Sequence, residues 1–273
     1  MNRVAVIMSV YKNDKLSFLK ESVESILDQT FTNFTFFIKI DGPVSNEIND
    51  YLSCLSDSRI DVYRRENNKG LAHSLNELIE NCLNKGFEYL VRMDADDISV
   101  PHRIQRTLLE FNNNPNLKMI GSNCTEIDEN GKFLFLKKMP ETAEEIKKMM
   151  YYRCPFIHPT ITFHRDFFLN VGVYDPKFTL IEDLDLWSRA IINNIQMKNI
   201  NEPLLKFRIS SDYWKRRSSW DKIFKELKIS YYFMKKTKTY YKFHKLILGK
   251  FLVRFILKIM PAFVNQYLYN KLR

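Results

Sequence analysis

The sequence predicts an α/β domain with a mainly parallel central sheet flanked by helices, followed by a basic amphipathic helical extension. Three observations carry this expectation. Short apolar runs alternate with stretches whose apolar residues recur once per helical turn. Several of the runs stop abruptly at acidic or Gly-Pro turns, and lysine and arginine collect at the C-terminal end.

Val4 to Val10 is a nearly continuous apolar run, as expected of a strand covered on both faces. Leu16 to Gln29 follows with Leu16, Leu19, Val23, Ile26 and Leu27 on one helical stripe. Phe34 to Ile40 is a second strand, ended by the turn Asp41-Gly42-Pro43. Glu47 to Leu55 reads as helix, Ile60 to Tyr63 as strand and Leu71 to Asn84 as helix. Tyr89 to Met93 is the next strand and runs straight into Asp94-Ala95-Asp96-Asp97. This alternation implies right-handed crossovers and parallel pairing. Ligands of such sheets bind at the carboxyl ends of the strands. Ser9 to Lys12, Asp41-Gly42 and Asp94 to Asp97 therefore meet on one edge.

Ser99-Val100-Pro101 opens a helix to about Asn112, with proline near its first turn. Met119 to Ile127 and Phe133 to Leu136 read as strands joined by a hairpin at Glu129-Asn130-Gly131. Glu141 to Tyr152 is helical, Pro155 to Phe163 is another β-rich run, and Asp183 to Asn193 is a helix beginning in acids.

With 273 residues the chain can bury the core of one large domain plus an appendage. Its 45% hydrophobic and 27% charged content is ordinary for a globular protein and excludes a disordered or fibrous one. The net charge of +10 is uneven: Trp214 to Arg273 holds 16 basic and two acidic residues, against 26 and 30 in the first 213. A mildly acidic body thus carries a tail of +14. Cys54, Cys82, Cys124 and Cys154 form no C-x-x-C pair, which points to reduced thiols in a cytoplasmic protein rather than disulfides or zinc. The start is too short an apolar run for a signal peptide, and no uncharged stretch reaches the ~18 residues of a membrane span.

Three carboxylates in four residues at a strand end suit a hard divalent ion that also binds a diphosphate. The competing reading is a solvated acidic turn capping the next helix. Asp41 can accept a hydrogen bond from the N3–H of uracil or simply build the Asp-Gly turn. In Glu182-Asp183-Leu184-Asp185, one acid can deprotonate a sugar hydroxyl, or all can serve the start of the following helix. His158 stands ready to contact substrate or to be a hydrogen-bonded structural histidine. Lys69 and Arg92 near the nucleotide edge are cations able to face phosphate. In the tail, Lys245, Lys250, Arg254 and Lys258 recur about one helical turn apart among apolar residues. This suits a helix lying in the headgroups of an anionic bilayer, where each cation adds ~1 kcal/mol. Tyr231, Tyr232, Phe233, Tyr240, Tyr241 and Phe243 add interfacial aromatics. A nucleic-acid face or a helical hairpin packed on the core are the alternatives, the first disfavoured by the apolar content.

The ordered segments Val4-Ala-Val-Ile-Met-Ser-Val-Tyr-Lys-Asn, Ser25-Ile-Leu-Asp-Gln-Thr-Phe, Asp41-Gly42, Asn68-Lys-Gly-Leu, Arg92-Met-Asp-Ala-Asp-Asp, Pro101-His-Arg-Ile, His158-Pro-Thr-Ile and Glu182-Asp-Leu-Asp-Leu-Trp carry a resemblance. Together they resemble family 2 glycosyltransferases of GT-A fold, especially bacterial enzymes of O-antigen and capsule synthesis, over roughly residues 3 to 215. The resemblance implies residues 1–215 as the transferase domain, and residues 216–273, beyond it, are the basic amphipathic tail whose own residues suit a membrane surface. It implies Ser9 and Tyr11 lining the nucleotide pocket, Asp41 reading uracil and Asp94 near the ribose. It also implies Asp96 on Mn²⁺ or Mg²⁺, and Asp183 as base with Glu182 beside it.

The pattern departs at Ile40-Asp41-Gly42-Pro43, where Asp-Asp-Gly-Ser is usual, and after Arg208, where Ile209-Ser-Ser-Asp lacks a histidine. Arg208, Arg216 and Arg217 are the cations at hand for that phosphate-facing place. The expected protein is an inverting transferase at the inner face of the plasma membrane. It takes a UDP-sugar donor and a lipid-diphosphate-linked saccharide acceptor, touches an anionic membrane surface, binds no nucleic acid, and can exist as a homodimer. A nucleotidyltransferase and a basic nucleic-acid adaptor are the competing classes.

Overall fold

Every side chain from Val4 to Met8 is fully buried, because β1 (Val4–Val10) sits inside the sheet with layers on both faces. The structure is a computed structural model that describes residues 3–210 and 219–259. Strands pair in the order β3-β2-β1-β4-β8-β6-β9-β5, with β7 added to β6. The first four strands, β3 (Ile60–Arg65), β2 (Phe34–Asp41), β1 and β4 (Tyr89–Met93), are parallel, as the alternating pattern predicts.

Beyond β4 the sheet turns mixed. β8 (Thr162–His164) runs antiparallel to β4, and β6 (Met119–Ile127) runs antiparallel to both β8 and β7 (Phe133–Lys137). β9 (Met197–Arg208) is parallel to β6 and antiparallel to the two-residue β5 (Ile98–Ser99). The β-rich run expected from Pro155 to Phe163 is mostly a 3₁₀ turn, His158–Thr160, followed by the short β8. Proline at 159 has no N–H to give a ladder, so pairing begins only after it. The expected hairpin at Glu129-Asn130-Gly131 is present.

Side chains of β1 alternate between two cores, as a period of two requires. Val4, Val6, Met8 and Val10 face the cluster formed with α1 (Leu16–Leu27), α2 (Asn46–Ser53) and α4 (Arg103–Asn113). Ala5 and Ile7 face α3 (Leu71–Asn84), α6 (Asp166–Val171) and α7 (Glu182–Ile192), where Trp187 is fully buried.

Two helices follow, α8 (Trp220–Lys236) and α9 (Tyr240–Ile259). They pack on the core as a hairpin: Ile229, Phe233 and Met234 join the Trp187 cluster, and Phe243 stacks on Tyr151 at 4.3 Å. Tyr151 closes α5 (Ala143–Met150). Phe233 is thus a core residue, not an interfacial one, whereas Tyr231, Tyr232 and Tyr241 stay exposed. The side chains of Lys250, Arg254 and Lys258, and residues Arg216 and Arg217 at the domain boundary, lie outside the described residues. No described helix is long and apolar enough to cross a membrane.

Candidate active site

The carboxyl ends of β1, β2 and β4 meet at one edge, and the acidic run leaves β4 directly. Oxygens of Asp94, Asp96 and Asp97 all lie within 4.8 Å of one another. The three acids are not equivalent. Asp97 is fully buried, with Oδ1 accepting from the Arg208 amide at 2.8 Å and Oδ2 unpartnered among the described residues. Burial, then the charges of Asp96 and Asp94, hold its carboxyl well above the usual range. Asp94 and Asp96 are half-buried, Asp94 in an ion pair with Arg92 Nη2 at 2.5 Å. Clustered hard oxygens at a partly open edge fit Mg²⁺ or Mn²⁺.

A stripe on α1 builds this loop. Ser22 Oγ donates to the Asp94 carbonyl at 2.7 Å, Ser25 Oγ accepts from the Ser99 amide at 2.9 Å, and Gln29 Oε1 accepts from the Ile104 amide at 3.1 Å. Ser22 and Ser25 lie on α1 near the buried Val23 and Ile26, and Gln29 follows just past the end of the helix.

Arg92 corrects an expectation. It is buried beneath the edge, so its charge meets Asp94 rather than an open phosphate site. Arg103 is buried beside it, donates to the Arg92 carbonyl at 2.7 Å, and is pushed down to about 9 by burial and by Arg92. Two buried guanidiniums therefore oppose three carboxylates.

Asp41 has partners within the protein. Its buried carboxylate accepts from Arg65 Nε at 2.7 Å and from the amides of Lys69 and Gly70, each at 2.8 Å. These donors tie it to the Asn68–Gly70 loop. Gly42, at φ +81, allows that approach, since a Cβ there would lie 2.6 Å from the Asn68 amide. The Lys69 side chain is exposed at this edge. Ser9 and Tyr11 stand half-buried at the end of β1, just past Met8, which pairs with Met93 of β4.

Antiparallel β8 brings the 3₁₀ turn alongside the same edge, with the Arg92 amide donating to the Ile161 carbonyl at 2.9 Å. His158 Nε2 lies 2.7 Å from the Tyr174 hydroxyl, and burial together with the Arg92 charge keeps its ring neutral. Glu182 and Asp183 open α7. Glu182 is buried and pushed up to about 7 by desolvation and by Asp183. Asp183, half-buried, accepts from the Leu184 amide at 2.8 Å and has the Cys154 thiol 3.7 Å away. Trp187, in the helix that opens with Glu182 and Asp183, lies edge-on to His158 at 5.9 Å, so that helix packs against the turn beside β4.

Arg208 is no phosphate ligand. Its guanidinium donates to the carbonyls of Asp96 at 2.9 Å and Glu129 at 3.0 Å, and pairs with Glu21. Arg65, Tyr174, Cys154 and β9 went unread in the sequence because their roles come from pairings across long stretches of chain.

A family model described as glycosyl transferase family 2 matches residues 5–173. "Amylovoran biosynthesis glycosyltransferase AmsE" of Erwinia amylovora is 29% identical over 270 residues, covering 98% of each chain. "UDP-Gal:alpha-D-GlcNAc-diphosphoundecaprenol beta-1,3-galactosyltransferase" of Escherichia coli is 28% identical over 279 residues, covering 98% of this chain and 96% of that protein. Among solved structures, S. aureus TarS 1-349 in complex with UDP-GlcNAc superposes with a TM-score of 0.61 at 12% identity. That match covers 86% of this chain and 72% of the other, and shows the shared GT-A fold.

Proposed function

The chain belongs to glycosyl transferase family 2, and from that premise we propose that it builds bacterial surface polysaccharide. In this reading it transfers a hexose or N-acetylhexosamine, with inversion, from a UDP-sugar to a lipid-diphosphate-linked saccharide. The observation that carries it is the Asp94–Asp97 carboxylate cluster at the end of β4, with the helix that opens at Glu182–Asp183 packed on the turn beside that strand. The Escherichia coli relative supports donor and acceptor class, since its name gives a UDP-sugar, a diphosphate-lipid acceptor and a β product. An α-linked UDP-sugar giving a β-glycoside is inversion. Family membership displaces the nucleotidyltransferase and the nucleic-acid adaptor.

Asp96 and Asp94 would hold Mn²⁺ or Mg²⁺, which when bound neutralises the charge of the departing diphosphate. Ser9 and Tyr11 line the nucleotide edge, Lys69 offers a cation there, and Asp41 keeps the Lys69–Gly70 loop in place. Arg92 fixes the direction of Asp94 from below. Asp183 takes the proton of the acceptor hydroxyl as that oxygen attacks the anomeric carbon and the bond to diphosphate breaks. Glu182 stands beside Asp183 at the start of the same helix. The exposed apolar residues Trp220, Phe224, Tyr231, Tyr232, Tyr241 and Leu248, with the basic tail, rest against anionic lipid at the inner face of the plasma membrane.

The test incubates the protein with UDP-hexoses and UDP-N-acetylhexosamines, Mn²⁺ or Mg²⁺, and a GlcNAc- or GalNAc-diphosphate-lipid analogue. One donor is expected to be consumed with a β-linked product. An α-linked product overturns the inverting mechanism, and no consumption of any donor overturns the substrate assignment.

A further inference from the structure

Tyr174 belongs to none of the motifs that define the site, yet it is among the most constrained side chains near it. It lies in the loop between α6 and α7 and is 1% exposed. Asn76 of α3 clamps its backbone from both sides: the Tyr174 amide donates to Asn76 Oδ1 at 3.0 Å, and Asn76 Nδ2 donates to the Tyr174 carbonyl at 2.8 Å. Arg189 of α7 holds the preceding turn by donating to the carbonyls of Val171 at 2.7 Å and Val173 at 2.8 Å. The loop is therefore tied to the helix that follows β3 and to the helix that begins with Glu182 and Asp183.

The side chain spends this rigidity on one partner. The Tyr174 hydroxyl lies 2.7 Å from His158 Nε2, and the two rings are 5.4 Å apart. Trp187 closes on the other side of the imidazole, edge-on at 5.9 Å. The direction of the hydrogen bond follows from proton accounting. A buried phenol keeps its proton, and among the described residues His158 Nε2 is the acceptor in reach. If His158 donated instead, the Tyr174 O–H would be buried without a partner, a costly arrangement. So Tyr174 donates to Nε2, and the neutral ring carries its own proton on Nδ1. That nitrogen has no hydrogen-bond partner among the described residues. The turn bearing His158 lies beside the end of β4, where the Arg92 amide donates to the Ile161 carbonyl at 2.9 Å, and His158 feels the Arg92 charge.

We propose that Tyr174 is a positioning residue that fixes His158 as its Nδ1–H tautomer, so that this N–H donates to an oxygen of the bound sugar nucleotide. The kinetic part of this rests on the transferase reading above; the tautomer does not. Free neutral histidine prefers its proton on Nε2, so the unusual form has a definite signature.

The experiment has two arms on full-length protein. First, ¹⁵N-histidine long-range correlation spectra at neutral pH, with His158 assigned through H158Q, are expected to show an unprotonated Nε2 and a protonated Nδ1. In Y174F, which deletes one oxygen and keeps the ring, that pattern is expected to revert toward Nε2–H. Second, Y174F is expected to lower kcat/KM for the donor about tenfold, the scale of one lost hydrogen bond. Y174F/H158Q is expected to be no slower than H158Q alone, because Tyr174 acts through His158. A proton on Nε2 in the unaltered protein overturns the proposal, as do losses that multiply in the double variant or a Y174F with unchanged kinetics. Should the unaltered protein transfer no sugar from any donor, the transferase reading fails, and the ¹⁵N arm still decides the Tyr174–His158 pair.

Discussion

The backbone amide of Arg208 donates to Asp97 Oδ1 at 2.8 Å, joining residues 111 positions apart. The end of the long strand β9 thereby becomes the floor of the acidic run. The Arg208 side chain continues the same task, reaching the carbonyls of Asp96 and Glu129. Asp97 is thus a structural acid that sets where Asp94 and Asp96 stand.

Asp97→Ala is expected to destabilise the protein by about 1–3 kcal/mol, the cost of a buried amide left unpaired. Asp97→Asn keeps an oxygen for the Arg208 amide and removes a carboxyl crowded by Asp94 and Asp96, so it is expected to unfold near the unaltered midpoint. Urea unfolding at neutral pH compares them; equal losses in the two variants would contradict this role.

Glu182 makes stability depend on pH in a definite direction. Its folded value of about 7 lies above the ordinary carboxyl value, so between the two the folded state holds a proton that the unfolded chain has released. Stability contributed by this group therefore falls as pH rises from about 4.5 to about 7. Glu182→Gln is expected to flatten that fall and to be relatively more stable above neutral pH, by up to roughly 3 kcal/mol. Unfolding midpoints at two pH values decide it, and a parallel pH dependence in both proteins would count against the buried-acid assignment.

The four thiols are expected to react in a fixed order. Cys54 is exposed, Cys154 is half-buried beside Asp183, and Cys82 and Cys124 are buried with thiols pushed up to about 12 by desolvation. A disulfide reagent at pH 8 should label Cys54 first and Cys154 slowly, sparing the other two until denaturant is added. In Cys54→Ser protein, labelling Cys154 should block sugar transfer, and bound acceptor should slow the labelling. Full activity after complete Cys154 modification would remove it from the site.

The tail is expected to carry the protein onto anionic vesicles at low ionic strength and to release it as salt rises. Sedimentation with phosphatidylglycerol vesicles, against neutral phosphatidylcholine as control, reads this. Full-length protein left in the supernatant at low salt would assign the exposed aromatic residues of α8 and α9 another use.

Much of this architecture is legible in the sequence, and the part that is not has a common cause. β1, β2 and β4 announce themselves as apolar runs, and their parallel pairing places Ser9, Asp41 and Asp94 on one edge without further information. The second half of the sheet is harder to read, because β8 is three residues long and β9 takes its partner, β6, from across a large separation. The same limit governs single residues. Asp41 and Arg92 read as ligands because isolated charges at a strand end attract that reading. Their partners, Arg65 for Asp41 and Asp94 for Arg92, are identified only when the chain closes. Tyr174 and Arg208 carry no local pattern at all; their meaning lies in His158 and Asp97.

In the proposed mechanism Asp96 holds the metal and nucleotide while Asp183 serves the chemistry. Calorimetric titration of UDP with Mn²⁺ into Asp96→Ala and Asp183→Asn, paired with donor turnover, tests it most directly. Asp96→Ala is expected to lose metal-dependent UDP binding. Asp183→Asn is expected to bind UDP like the unaltered protein while turnover falls about 10²–10⁴-fold. Unchanged Mn²⁺-dependent UDP affinity in Asp96→Ala, or near-normal turnover in Asp183→Asn, would contradict the account.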